Sequence, residues 1–376
     1  MKKITLFCYC LSITIASFAQ LTTPPSGNSQ KSIVTQYIGA LAHVTITYSS
    51  PSVTSPTGED RTGKIWGQLV PYGLTNQGFG TSQAAPWRAG ANENTIVAFS
   101  HDVMIQGKPL KAGKYGFHII VEESKPWTLI FSKNSSAWGS FFYDPAEDAL
   151  RVEATPEKSD FHKWMTFEFI ERQPASTTVA LMWENIKLPF KIEVPNINEL
   201  YVDQMRRELQ DDIGFDHRNW ATAAAWCAQN NINLEEALTW ADYAISGAFI
   251  GQEDFLTLQT KALVLQTLNR APEAQALMDK AIQHSSATAI AIHQYGRQLM
   301  ATGDKKKALE VFEYNFQRYN GAWPTNVGLA RGYAAAGQYD KALKHAQLAL
   351  AQAPDEVNKN FLMQAIEKLK KKEDIN

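Results

Sequence analysis

Between about Ser32 and Val194 apolar side chains recur at every second position. In His43-Val44-Thr45-Ile46-Thr47-Tyr48 the residues Val44, Ile46 and Tyr48 share one face, which is the period of a half-buried β-strand. Similar runs occur at Thr95–Phe99, Tyr115–Val121, Thr128–Phe131, Leu150–Ala154, Met165–Phe169, Thr178–Trp183 and Phe190–Val194. Turn chemistry such as Gln106-Gly107, Ala112-Gly113 and Asp144-Pro145 separates them. Many short strands, with no capped amphipathic helix among them, predict one antiparallel all-β sandwich over residues 30–195 and disfavour an interleaved α/β sheet.

After Pro195 the texture changes to Ala, Leu, Gln and Lys with a 3.6-residue period, and the chain repeats itself. Four segments align on Ala237, Ala274, Ala308 and Ala342, at intervals of 37, 34 and 34 residues, and twelve residues before each lies Ala225, Ala262, Gly296 or Ala330. Small residues at both places let two antiparallel helices approach closely. At that level of detail the segments resemble tetratricopeptide repeats, which implies an α-helical solenoid over residues 217–356. Gly303-Asp304 and Gly337-Gln338 mark turns between helices, and Pro354 closes the last unit. Val357–Lys371 reads as the capping helix of a 357–376 terminus, with its lysines a solvated helix end favoured by the macrodipole. The first repeat has a longer loop, Gln229–Asn233. Its Ile232, with Trp226 and Trp240, predicts packing against what precedes it, and residues 196–216 should hold a linking helix over Leu200–Leu209. The expected fold class is thus multidomain β + α.

Met1, Lys2 and Lys3 precede an apolar run from Ile4 to Phe18, and Ser17-Phe18-Ala19 is a small-x-small pattern before Gln20. Residues 1–19 read as a secretory signal peptide cleaved after Ala19. The expected location is the periplasm or the cell exterior. Cys8 and Cys10 lack the Leu-small-small order of a lipid-anchor site. Cys227 is then the single mature thiol and reads as a buried, inert core residue. No later run approaches the roughly 20 apolar residues of a spanning helix. Lys plus Arg number 36 against 38 Asp plus Glu, and neither half is basic. That argues against nucleic acid as a partner, since its binding rests on phosphate neutralisation.

Several stretches of the β half look like a family of exported bacterial proteins called domain of unknown function (DUF) 2911. They include Tyr48-Ser49-Ser50-Pro51, Gly63–Gly73, Trp87–Glu93, Leu110–Tyr115, Trp127–Phe131, Trp138-Gly139, Tyr143-Asp144 with Asp148–Val152, and Trp183-Glu184-Asn185. The likeness runs from about Gln30 to Val194. It implies no established activity, and fusion to helical repeats occurs in the family. A Gly- and Gln-rich insertion, Leu74–Pro86, departs from the pattern and is expected to form a surface loop.

Gly58-Glu59-Asp60-Arg61-Thr62-Gly63-Lys64-Ile65 matches a phosphate-binding loop except for Ile65 at the magnesium-holding position. The required strand before and helix after are missing, so it reads as a turn-rich loop. The eight histidines show no metal-ligand spacing, no catalytic motif occurs, and no cofactor or metal is expected. What remains in the β half is Arg61, Trp66, Arg88, Asn92, Glu93 and Trp138. A guanidinium, an amide and a carboxylate beside indole faces can grip a polar small molecule or glycan. The plainer alternative is an internal Arg88–Glu93 ion pair around a Gly90 turn, with the tryptophans in the core. In the solenoid, the first helix of each unit offers Leu258, Gln259, His293, Gln294, Arg297, Asn326 and Arg331 to a protein or peptide partner. The sequence therefore reads as an exported non-enzymatic interaction protein. Its alternative is ligand binding, or an unrecognised activity, around Arg88 and Glu93.

Overall fold

The structure, a computed structural model, describes residues 29–376. The expected signal peptide, with Cys8 and Cys10, lies outside the described residues. Cα packing divides the chain into two compact units between Ile197 and Asn198.

In the first unit the strands are β1 (Gln30–Ile38), β2 (Ala42–Ser50), β3 (Thr95–Phe99), β4 (Val103–Ile105), β5 (Lys108–Leu110), β6 (Gly113–Ile120), β7 (Trp127–Ser132), β8 (Asp148–Ala154), β9 (Glu157–Gln173) and β10 (Ser176–Glu193). They form a six-stranded sheet, β1-β2-β3-β6-β7-β8, and a four-stranded sheet, β5-β4-β10-β9. All pairings between named strands are antiparallel. The inward face of β2 is Val44, Ile46 and Tyr48, all buried, as the alternation requires. Aromatic rings join the sheets: Tyr48 meets Phe167 at 4.9 Å, and Phe117 lies 5.6 Å from Phe190. The Phe167 N–H donates to the Tyr48 hydroxyl at 3.3 Å. This is the expected antiparallel sandwich.

One strand assignment changes. The separate runs Thr178–Trp183 and Phe190–Val194 belong to a single long strand, β10. Its pairing with β9 shifts register between Met182 and Glu184 and again between Glu184 and Ile186, and Glu184 sits at φ 54°. At each of these two shifts β9 advances four residues against two on β10, and within β10 the buried side changes from Val179, Leu181 and Trp183 to Leu188, Phe190 and Ile192, so a two-residue pattern breaks there although the strand continues. The short β4–β5 hairpin carried too few residues to show a period. The Leu74–Pro86 insertion is a loop closed by a Thr75–Ala85 bridge, with Phe79 against Phe141 and Phe142.

The second unit is helical: α1 (Ile197–Glu208), α2 (His217–Gln229), α3 (Leu234–Ser246), α4 (Phe255–Thr267), α5 (Ala271–Gln283), α6 (Ala289–Ala301), α7 (Lys305–Arg318), α8 (Trp323–Ala335), α9 (Tyr339–Gln352) and α10 (Glu356–Lys370). From α2 to α9 they form four helix pairs. The aligned residues Ala237, Ala274, Ala308 and Ala342 are all buried. In the first pair the small residue opposite is Ala224, fully buried, and not the half-buried Ala225. The longer loop, with Asn231 and Asn233 in left-handed conformations, adds one residue before α3 and offsets the count. Helix α1 begins three residues earlier than expected. Its Val202, with Leu209 beyond its end, packs against Ala224, Cys227 and Trp240, with Trp226 and Ile232 alongside. Cys227 is fully enclosed, and burial pushes its thiol up to about 11, so it stays protonated at neutral pH. After α10 the terminus folds back: Ile375 is buried among Ala330, Ala334 and Ala342, and the Asn376 amide donates to the Arg331 carbonyl at 3.1 Å.

The third pair carries a large residue at a position that the neighbouring pairs fill with Ala241, Met278 and Ala346. Phe312 fits because Gly296, Gly328 and Gly332 have no side chain: a Cβ at Gly296 would stand 2.3 Å from its ring, and one at Gly328 2.5 Å. We predict that Gly296→Ala destabilises the helical unit by about 2 kcal/mol through overpacking. Adding Phe312→Leu should restore most of that loss in urea denaturation, a coupling absent if the two sites act independently.

Candidate functional site

The β unit contains a cavity of about 360 Å³. Its wall includes Pro51, Ser52, Thr54 and Pro56 after β2, Arg61, the Leu69–Pro71 turn, Gln77 of the insertion, Trp87, Arg88, Gly90, Ala91 and Trp183 of β10. Behind part of this wall lies an indole cluster. Trp66 is 4.9 Å from Trp127, 5.7 Å from Trp87 and 5.8 Å from Trp183, mostly edge to face, the arrangement ring quadrupoles favour. The Trp66 and Trp183 indole N–H groups are buried with no acceptor among the described residues.

The segment that looked like a phosphate-binding loop is a turn-rich loop here. Gly58 and Gly63 adopt left-handed conformations, and the Gly63 N–H donates to the carboxylate of Glu184. Glu184 is buried, and the β10 bulge turns it toward this loop while the residue before it, Trp183, joins the indole cluster. Arg61 is held at its backbone by a 3.1 Å bond to the Val53 carbonyl.

The structure separates the six residues singled out in this half. Arg61 and Arg88 line the cavity and Trp66 stands in the indole cluster. Asn92 and Glu93 do not line it, and Trp138 is 57% exposed outside the cluster. The alternative Arg88–Glu93 ion pair is also absent. Arg88 Nη1 donates to the Asn92 carbonyl at 2.7 Å, and its guanidinium lies 5.0 Å over the Phe141 ring. Glu93 instead accepts from the Ser49 hydroxyl at 3.1 Å. The local turn takes its left-handed φ at Ala89 and Asn92. Gly90 is there for room, since a Cβ would fall 2.9 Å from Thr95 Oγ1. Gly139 likewise admits Arg88, because a Cβ there would fall 2.3 Å from the guanidinium carbon.

Beside Arg88 lies His118, which sequence reading left among the unassigned histidines. It is buried on β6, with Nδ1 2.9 Å from Ser140 Oγ. Burial, reinforced by the Arg88 charge, holds its pKa down to about 4, so it is neutral at physiological pH. Glu184 and Trp183 were also missed. Their signal was the Trp-Glu-Asn step that interrupts an otherwise apolar run.

In the helical unit a groove of about 660 Å³ runs across α2, α4, α5 and α6. Its floor includes Leu256, Leu263, Met278 and Leu299, and its polar groups are mainly glutamines: Gln229, Gln259, Gln266, Gln275 and Gln298. Asp304 is its one charged lining residue among the described residues. Gln275 is engaged with Tyr295 at 2.9 Å and Asp279 at 3.1 Å. The other four side-chain amides have no partner among the described residues.

Of the residues proposed for partner binding, Gln259 alone lines this groove. Leu258 is core, and Asn326 is buried with its amide spent on Gly321, Gln352 and His345. Asn326 faces inward, where its amide and that of Gln352 both donate to the Gly321 carbonyl. Gln294 and Arg297 are exposed. Arg297 and Arg331 form a separate cationic patch on α6 and α8 beside His293, which burial and the two arginines hold down to about 4 and so keep neutral. Arg331 lies 4.8 Å over the Phe361 ring.

A two-sheet sandwich followed by paired helices is the class this architecture defines. Residues 29–192 match the family model described as "Protein of unknown function (DUF2911)". No curated protein matches the chain. Among solved structures, the chain is similar to YrrB, "a TPR protein with an unusual peptide-binding site", at 16% identity over 46% of this chain and 87% of that one, with a TM-score of 0.31. It is similar also to MamA from Desulfovibrio magneticus RS-1, at 18% identity over 41% of this chain and 93% of that one, with a TM-score of 0.28. At such scores the repeat assignment rests on the helix spacing of this chain itself.

Two predictions follow from the β unit. Unfolded, His118 has a pKa of about 6.5 and takes up a proton that the folded state, with its pKa at about 4, refuses. Stability is therefore full above pH 6.5 and is lost as pH falls toward 4. Between pH 7 and pH 5 the wild type should lose on the order of 2 kcal/mol more than His118→Asn, which keeps a polar group near Ser140, in urea melts followed by near-UV circular dichroism. Removing the carboxylate with Glu184→Ala should cost about 2 kcal/mol, from the lost Gly63 tether and the unpaired N–H it leaves. Limited proteolysis should then cut within residues 58–70, whereas Glu184→Gln should stay intact.

Proposed function

We propose that this protein is an exported, non-enzymatic adaptor whose helical repeats hold an extended segment of a protein partner in the groove across α2, α4, α5 and α6. The observation that carries the reading is the set of unpaired amides at Gln229, Gln259, Gln266 and Gln298 above an apolar floor. An extended peptide presents a backbone donor and acceptor at each residue, and a glutamine amide offers one of each in return. Leu256, Leu263, Met278 and Leu299 supply apolar area for side chains of the bound segment. Export is supported by the charged, apolar and small-residue order of residues 1–19. The cationic patch of Arg297 and Arg331, beside the neutral His293, is the alternative docking place, and salt separates the two, since contacts to an almost uncharged groove are little screened.

A random dodecapeptide display on the full chain should select binders whose affinity falls at least about tenfold, near 1.4 kcal/mol, in the combined Gln259→Ala, Gln266→Ala, Gln298→Ala variant. Their affinity should change less than about threefold between 50 and 500 mM salt. A selection that yields no binder, or binders indifferent to the triple change, refutes the groove. Steep salt dependence with loss in Arg297→Gln moves the site to the basic patch.

A further inference from the structure

The cavity of the β unit has a charge imbalance that the fold itself leaves unresolved. Among the described residues its wall holds Arg61 and Arg88 and no Asp, Glu or Lys. The acidic groups close by in the chain are already engaged: Glu59 pairs with Lys64 at 3.5 Å, Asp60 accepts from Thr62 at 2.7 and 3.0 Å, and Glu184 takes the Gly63 N–H. Arg88 is committed to Asn92 and Phe141. Arg61 is a half-buried residue, and its guanidinium has no hydrogen-bond or ion-pair partner among the described residues.

Two further groups of the wall are unsatisfied. Gln77 has a buried Oε1 that accepts nothing, and Trp183, 1% exposed, has an indole N–H that donates to nothing among the described residues. Buried polar atoms are ordinarily paired, and orphans gathered around one cavity mark a place where a ligand completes the set. The remaining wall is flat and apolar, from Trp87, Trp183 and the prolines Pro51, Pro56 and Pro71. A volume of about 360 Å³ is at the small end for ligand sites and suits a molecule of one or two rings.

We propose that this cavity binds a small aromatic carboxylate that also carries an N–H or O–H donor. Its carboxylate pairs with Arg61, whose planar guanidinium matches that group in a two-bond fork. Its ring lies against the indole and proline wall, and its donor goes to Gln77 Oε1. The Glu184 tether to Gly63 positions the loop that carries Arg61, so the left-handed kink of β10 at Glu184 is a positioning element for the site.

The test uses indole-3-acetate and 4-hydroxybenzoate as probes against the purified full chain, each beside its neutral carboxamide, by calorimetry and saturation-transfer NMR. Both acids should bind, each at least about tenfold tighter than its amide, and Arg61→Gln should remove that preference without moving the thermal unfolding midpoint of the free protein. Ala91→Leu, which fills the cavity from a second side, should weaken acid and amide alike. The proposal is overturned if neither acid binds at 10 mM, if the amides bind as well as the acids, or if Arg61→Gln binds like the wild type.

Discussion

The β unit depends on the bulge at Glu184. A strand in regular register would send Trp183 and Glu184 to opposite faces of a sheet, one into the core and one into water. The register shifts on either side of Glu184, together with its left-handed φ, place both in the interior: Trp183 among the indoles, Glu184 under the Gly63 turn. A buried carboxylate is tolerated because a backbone N–H meets it. The loop from Gly58 to Val70, which has little secondary structure of its own, thereby gains an anchor in the sandwich. One wall of the cavity is this loop and another is Trp183, so the same irregularity fixes both.

Arg88 and Arg61 show how a residue type alone misleads. Both are cations on the wall of one cavity, yet one is spent on a carbonyl and an aromatic face while the other has no partner among the described residues. What divides them is space. Gly139 leaves room for the Arg88 guanidinium against Phe141, beside a His118 that burial keeps neutral. A neutral histidine is compatible with a neighbouring arginine, whereas a protonated one would repel it.

In the helical unit small residues set the spacing and the large exceptions set the detail. Alanines at the contact positions bring paired helices close together, and the single Phe312 is matched by three glycines around it. Across α2, α4, α5 and α6 the groove is faced with glutamine and leucine and carries almost no charge. The β unit offers a cationic cavity and the helical unit an amide-lined groove, two surfaces with different chemistry on one chain.

The fold class, most of the strands and the four-pair solenoid were legible in the sequence, because alternation and a 34-residue spacing are local records of which face is buried. Val44, Ile46 and Tyr48, or Ala274, Ala308 and Ala342, announce their burial by period alone. The bulge at Glu184 was not legible, since a register shift erases the period that would reveal it. Nor were the partners of charged groups. Arg88, five residues before Glu93, suggested a pair, but left-handed turns at Ala89 and Asn92 turn the first toward the Asn92 carbonyl and the second toward Ser49. Alternation and repeat spacing thus specify the layers and their repeats, because burial patterns are written residue by residue. Which polar groups are satisfied and which face a cavity is set in the folded chain alone, because that depends on atoms brought together from positions as distant as Gly63 and Glu184.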